Sequence, residues 1–302
     1  MKEPWVELRL WRQFVAVAEE LHFGRAAARL HMTQPPLTQA IAHLERLLGV
    51  RLFDRTQRRV ALTPAGEALL PSARDLLARA QALPGQARAV AGGEVGRLRI
   101  GFVSTIGFSL LPQWLRGFRA AHPGVQMELF EATGDQQLPM LERGEIDAGF
   151  VLHSPGFAPT GLPGRVVARE PLVLALPEAH PLAQVKRLAL SAVLAEPVVL
   201  FPRRIVPSLH DALFGMYHAA GREPRIAQEA IQMQTIVNLV SAGLGLAWVP
   251  ASVREFQRAG VVYREVQGAG AKQVPGCETS LVWAAQTPVV ERFVAFVRGQ
   301  GD

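Results

Sequence analysis

The stretch Ala26-Ala27-Ala28-Arg29-Leu30-His31-Met32-Thr33-Gln34-Pro35-Pro36-Leu37-Thr38-Gln39-Ala40-Ile41 constrains this chain more than any other. A short alanine-rich helix runs into a tight turn, and a new helix opens on threonine, glutamine and two prolines. Thr33 is a capping residue type. Pro35 and Pro36 fall in the first turn, where a missing N–H costs little. Leu37, Ile41, Leu44 and Leu48 recur at helical spacing as one buried stripe, and Gly49 stops the helix. Upstream, Leu10, Phe14, Val17 and Leu21 predict a helix over 8–21, followed by a second from Gly24 to His31. A tight turn between the second and third helices is the pattern of a helix-turn-helix, whose last helix lies in the major groove of double-stranded DNA. The face opposite that stripe presents Gln34, Thr38, Gln39 and His43, and these, with Thr33, Pro35 and Pro36 at the start of the helix, are the candidate DNA contacts.

Two short apolar segments then flank an arginine-rich tip between Arg51 and Thr63, which reads as a β-hairpin wing. Arg55, Arg58 and Arg59 suit phosphates or the minor groove. Residues 1–65 hold ten Lys and Arg against six Asp and Glu, a net +4 out of +6 for all 302 residues. Charge concentrated at one end in this way is a nucleic-acid footprint. The winged helix-turn-helix is therefore expected over 1–64. Residues 65–91 read as a linker helix in which Leu69, Leu76 and Leu83 lie seven apart, a seam that pairs with a second copy of the chain. Pro84-Gly85 is expected to shorten or kink it. The glycine-rich 92–96 reads as a hinge.

From residue 97 to 302 short apolar strands alternate with amphipathic helices. That alternation predicts an α/β domain with parallel sheets covered by helices. No apolar run approaches the roughly 20 residues of a membrane span. Met1-Lys2-Glu3-Pro4-Trp5 has no apolar signal region behind its charge, so the expected location is cytoplasmic. Cys277 is the only cysteine, which excludes an internal disulfide and a thiolate metal site.

Together the N-terminal segments resemble the LysR-type transcriptional regulators. The resemblance rests on Phe14-Val15-Ala16-Val17-Ala18-Glu19-Glu20, Phe23-Gly24-Arg25-Ala26-Ala27, Gln34-Pro35-Pro36-Leu37-Thr38, His43 to Val50, Leu52 to Thr56 and Leu62 to Gly66. It continues through Leu98 to Phe102, Leu111-Pro112, His122-Pro123, Gly144 to Ala148 and Gly243-Leu244-Gly245, so it covers nearly the whole chain. Gln39-Ala40 departs from a basic pair frequent in the family, and Thr33 and Thr38 stand where serine is frequent. The resemblance implies a homodimer, assembled further as a dimer of dimers. It also implies an effector domain like the periplasmic binding proteins, with lobe one over 97–170 and 271–302 and lobe two over 171–270. A small-molecule effector between the lobes would modulate operator binding. No cofactor and no metal are expected.

Val103-Ser104-Thr105 resembles the subgroup that responds to aromatic acids and muconate. Ser104 and Thr105 follow a strand, with a helix expected from Phe108 or Ser109. Thr133 and Gly134 follow the next strand and face the same crevice, at the carboxyl ends of the strands. Phe201, Pro202 and Arg203 end a strand of the other lobe, where Arg203 can close over an anion. Three rival readings find little support. An enzyme lacks a Gly-x-Ser-x-Gly elbow, a phosphate loop or metal-spaced ligands. A transported-solute receptor would not carry the helix-turn-helix, and a thiol switch would need a second cysteine.

Overall fold

The computed structural model describes residues 5–55 and 59–300. Two compact units make up the chain, Met1–Arg88 and Ala89–Asp302.

The first unit is built on α1 (Leu8–Glu20), α2 (Phe23–Arg29) and α3 (Gln34–Leu48). Leu10, Phe14 and Val17 of α1 and Leu37, Ile41 and Leu44 of α3 are buried in one core. Leu21 does not join them. It ends α1 in the left-handed region (φ 45°) and is 46% exposed, because the chain must reverse there into α2. Thr33 holds the N-cap position of α3 but its hydroxyl makes no capping bond. The prolines explain this: Pro35 and Pro36 remove the N–H groups that a cap would bind. Strands β1 (Phe53–Arg55) and β2 (Val60–Leu62) pair antiparallel, Phe53 opposite Leu62. The Phe53 ring meets Phe14 and Phe23 at 5.6 and 6.0 Å and so anchors the hairpin in the core.

Thr63 caps the next helix, α4 (Pro64–Ala91): its Oγ1 accepts from the Gly66 amide at 3.1 Å and donates to the Arg51 carbonyl at 2.8 Å. Gly66 is required by close approach, since a Cβ there would stand 2.3 Å from the Leu52 carbonyl oxygen. Pro84-Gly85 does not interrupt α4, which runs for 28 residues with Pro71 and Pro84 inside it. The stretch around Pro84 is exposed, which leaves the carbonyl that loses its N–H partner open to solvent.

The second unit begins with β3 (Gly96–Phe102), the single turn α5 (Ser104–Gly107), α6 (Leu110–Ala121), β4 (Val125–Glu131), α7 (Gly134–Glu142) and β5 (Ala148–His153). The long β6 (Gly164–Pro177), α8 (Pro181–Gln184), α9 (Leu190–Val193), β7 (Val198–Leu200), α10 (Pro207–Ala219), β8 (Ile226–Glu229), α11 (Met233–Ser241) and β9 (Ala247–Pro250) follow. The chain ends on β10 (Val261–Arg264), β11 (Gly276–Trp283) and α12 (Pro288–Gly299). The main sheet runs β10-β6-β11-β5-β3-β4, with β9 also on β6. It is mixed, not parallel as the alternating pattern suggested. β3 pairs parallel with β4 and β5, whereas β11 lies antiparallel between β5 and β6. β11 comes from the far end of the chain and returns between β5 and β6 against their direction, a placement that the local alternation of strands and helices does not specify.

β6 changes partners along its length. Gly164–Pro171 pair with β11, and from Leu172 onward the strand pairs with β9 and β10. The short parallel pair β7-β8 lies beyond, tied in by a bridge from Val198 to Leu246. Asp147 fixes the start of β5 by accepting from the Arg99 amide at 2.7 Å and from its guanidinium at 2.7 and 3.1 Å. α12 packs Phe293 on Phe118 and Phe150, at 5.2 and 6.2 Å.

Candidate functional site

Helix α3 and the hairpin carry the first set of candidates. Thr33, Gln34, Pro35, Pro36, Gln39 and His43 are exposed on α3 or at its start. Thr38 is half-buried, and its hydroxyl donates to the Gln34 carbonyl at 3.1 Å. The buried stripe of α3 faces the core, which leaves the polar face to solvent. Arg55 has a different setting from the one expected. Its guanidinium donates to Glu45 Oε2 at 2.9 Å and lies 4.9 Å from the centre of the Phe23 ring. Arg59 is exposed at the foot of β2, and Arg58 lies outside the described residues.

Glu45 has a role that sequence reasoning missed. Its Oε1 accepts from the amides of Leu52 and Phe53, at 2.9 and 3.1 Å, while Oε2 holds Arg55. One carboxylate on α3 therefore sets where the hairpin leaves the core. Only its place seven residues before Leu52 hints at this, and that spacing is common. On the same unit Glu19 takes ion pairs from Arg29 and Arg74 at 2.7 and 2.8 Å. Burial works against its charge, yet the hydrogen bonds from Arg29 and Arg74 outweigh it and hold the carboxyl below the usual carboxylate range.

The second set of candidates meets in a cavity of about 40 Å³ in the second unit. Ser104, Thr105 and Thr133 supply hydroxyls to its wall, and Leu152, Phe201, Ile205 and Val206 are among its apolar side chains. Ser104 and Thr105 do not precede a helix at Phe108 or Ser109. They open α5 themselves, because the Phe108 amide closes a single turn on the Ser104 carbonyl at 3.2 Å. Thr133 is the N-cap of α7, and its hydroxyl donates to the Asp135 carboxylate. Thr105 Oγ1 is buried with no hydrogen-bond partner among the described residues. Beneath α7, Gln137 is fully buried and donates to the carbonyls of Ala132 and Phe150, at 2.7 and 3.1 Å.

Three expected residues stand elsewhere. Gly134 faces a neighbouring cavity, and Pro202 is half-buried outside the hydroxyl-lined one. Arg203 does not close over the cavity. It spends two nitrogens on Asp211, at 2.7 and 2.6 Å, because the first turns of α10 bring that carboxylate within reach. Gln232, Ile231 and Met233, at the start of α11, line the cavity instead. They carry no motif and lie about a hundred residues from Thr133, so only the tertiary fold reveals them. Among the described residues no group of three or more His, Cys, Asp or Glu is placed to hold a metal, and no helix is long and apolar enough to cross a membrane.

Known families match both units. Residues 8–67 match the bacterial regulatory helix-turn-helix protein, lysR family, and residues 91–302 match the LysR substrate binding domain. The chain belongs to the LysR family of transcriptional regulators. This LysR-type regulator is 47% identical over 300 residues to the HTH-type transcriptional regulator IlvR of Caulobacter vibrioides, across 98% of its own length and 99% of that protein. It is 35% identical to ClcR of Pseudomonas putida, covering 90% and 92% of the two chains. Among solved structures, full-length CbnR complexed with its target DNA superposes with a TM-score of 0.83 at 32% identity, over 98% of this chain and all of that one. The family is one of DNA-binding regulators with an effector domain, not of enzymes.

Proposed function

We propose that this regulator reads an operator in double-stranded DNA with α3 and responds to a small carboxylate, aromatic or unsaturated, held in the hydroxyl-lined cavity. The orphaned Thr105 Oγ1 carries the effector reading. A buried hydroxyl without a partner costs about 1–3 kcal/mol, so a site that keeps one gains by receiving an acceptor. Ser104, Thr133 and Gln232 stand around the same space, with the N-terminus of α7 behind Thr133. A carboxylate suits donors at a helix N-terminus.

A volume near 40 Å³ has room for a few waters, at roughly 10–15 Å³ each. Small-molecule sites occupy roughly 300–1,000 Å³. Effector binding therefore requires the walls to separate, and the partner change of β6 at Pro171 and Leu172 is where two lobes, 97–170 with 271–302 and 171–270, hinge. The effector selects the open form and shifts the population of operator-binding states.

Operator reading rests on the exposed Thr33, Gln34, Pro36, Gln39 and His43, with Arg59 at the wing, and is supported by the likeness to CbnR. Self-association rests on an apolar strip of the first unit. Trp5 and Leu8 join Leu76 and Leu83 of α4 around one open groove, and these four are 89, 48, 42 and 60% exposed. A patch of this kind marks an interface, here with a second copy, and a dimer of dimers is the assembly proposed.

Thermal unfolding with benzoate and cis,cis-muconate tests the effector reading. A ligand at 100 times Kd stabilises by about 2.7 kcal/mol. The shift should appear in the native protein and vanish in Thr105→Val, which keeps operator affinity. An equal shift in that variant refutes the assignment.

A further inference from the structure

Beside the hydroxyl-lined cavity lies a larger one of about 440 Å³, which shares Leu152, Ile205 and Val206 with it as common wall. Leu138, Val151, Pro159 and Phe157 add apolar wall, beside the polar His153, Ser208 and Asp211, and Phe157 is 66% exposed. Two groups of opposite charge reach this space: Asp135 from the first turn of α7, and Arg204 from the segment ahead of α10. The backbones that carry them meet. A Cβ built on Gly134 would stand 3.9 Å from the Ile205 carbonyl oxygen, and Asp135 follows Gly134 as Arg204 precedes Ile205.

The other ionisable groups at this cavity are engaged. Asp211 is held by two nitrogens of Arg203, and the ring of His153 sits between Ser280 Oγ and the Ser154 carbonyl, 2.8 Å from each. Arg204, in contrast, has no ion-pair or hydrogen-bond partner among the described residues. The Asp135 carboxylate accepts from the Thr133 hydroxyl.

The geometry points to a second ligand site, for a small zwitterion with an aliphatic body: an α-amino acid of leucine's size. Its carboxylate meets the Arg204 guanidinium, which presents a planar fork of donors. Its ammonium meets Asp135, and its side chain covers Phe157, Leu138 and Val151. A simple acid would set its charge beside Asp135 without compensation, and a simple amine would do so beside Arg204. The volume falls within the range of small-molecule sites. Because Leu152, Ile205 and Val206 wall both cavities, a ligand here moves the wall of the other. The inference does not depend on what fills the hydroxyl-lined cavity.

Isothermal titration calorimetry of the full-length protein tests it, with L-leucine, 4-methylpentanoate and 3-methylbutylamine as probes. Expected is binding of L-leucine, with both one-charge analogues at least tenfold weaker. Arg204→Gln and Asp135→Asn should each weaken L-leucine at least tenfold while their circular-dichroism melting curves match the native protein. Thr105→Val should bind L-leucine as the native protein does. Absence of L-leucine binding at millimolar concentration overturns the inference. So does 4-methylpentanoate binding as tightly as L-leucine, or L-leucine binding that survives in Arg204→Gln but is lost in Thr105→Val.

Discussion

Replacing Glu45 by alanine should damage the wing far more than replacing the arginine it pairs with. The Glu45 carboxylate accepts from the Leu52 and Phe53 amides and from Arg55. Leu52 and Phe53 are buried, at 0 and 2% exposure, so their amides have little access to water once the carboxylate is gone. Each stranded donor costs about 1–3 kcal/mol. Partial rescue by water, since the Glu45 side chain is itself 14% exposed, brings the expected total to about 2–4 kcal/mol. Arg55→Ala loses a partly exposed ion pair worth about 0.2–1 kcal/mol. It also loses a cation–π contact worth about 0.5–1 kcal/mol. Its cost should therefore stay near 1–2 kcal/mol, below that of Glu45→Ala. Hydrogen exchange of the Leu52 and Phe53 amides reads this directly, because their protection falls with the local opening free energy. A double-mutant cycle with guanidinium denaturation assigns the pair's own share. If Glu45→Ala cost no more than Arg55→Ala and left both amides protected, the claim that one carboxylate positions the wing would be refuted.

Other perturbations follow from the same structure. Leu76→Asp with Leu83→Asp places charge on the exposed apolar strip of α4 and should shift the protein toward monomers, measured by light scattering; an unchanged mass would remove that strip from the interface. Cys277 is buried at 1% exposure, and burial, joined by the nearby Glu170 and Glu278, pushes its thiol well above the usual range. Ellman's reagent should react with it only as the protein unfolds; fast labelling of the native state would contradict that burial. The Arg203 guanidinium holds the Asp211 carboxyl below its usual range. A depressed folded-state pKa contributes stability above the unfolded value, near 3.9, and loses it as pH falls through the folded one. Arg203→Gln should therefore raise the Asp211 pKa in a carboxyl NMR titration. The acid unfolding curve should also become flatter below about pH 4.

Local pattern carried most of the first unit. Leu37, Ile41 and Leu44 declare the face of α3 by spacing alone, and Pro35 and Pro36 declare its start, since both signals arise within one or two turns of chain. The family resemblance was legible for the same reason: its motifs are short and run in order. Local pattern failed where a residue's fate depends on distant partners. Leu21 matched the stripe of α1 and is exposed; Arg203 was read as closing over an anion and is taken by Asp211. Thr33 was read as a cap, and the prolines beside it leave it no N–H to bind.

By itself, then, the order of residues determined the helix-turn-helix, the long helix after it and an α/β second unit, because periodicity, capping and turn chemistry act over a few residues. Tertiary structure alone decided the mixed sheet, the partner change along β6, the clamp of Glu45 on the wing and the entry of Gln232 beside Thr105. Each joins different elements, seven to more than a hundred positions apart, and the periodicity within one element does not predict such contacts. Their proximity is set by how the elements pack, and so is the chemistry of both cavities.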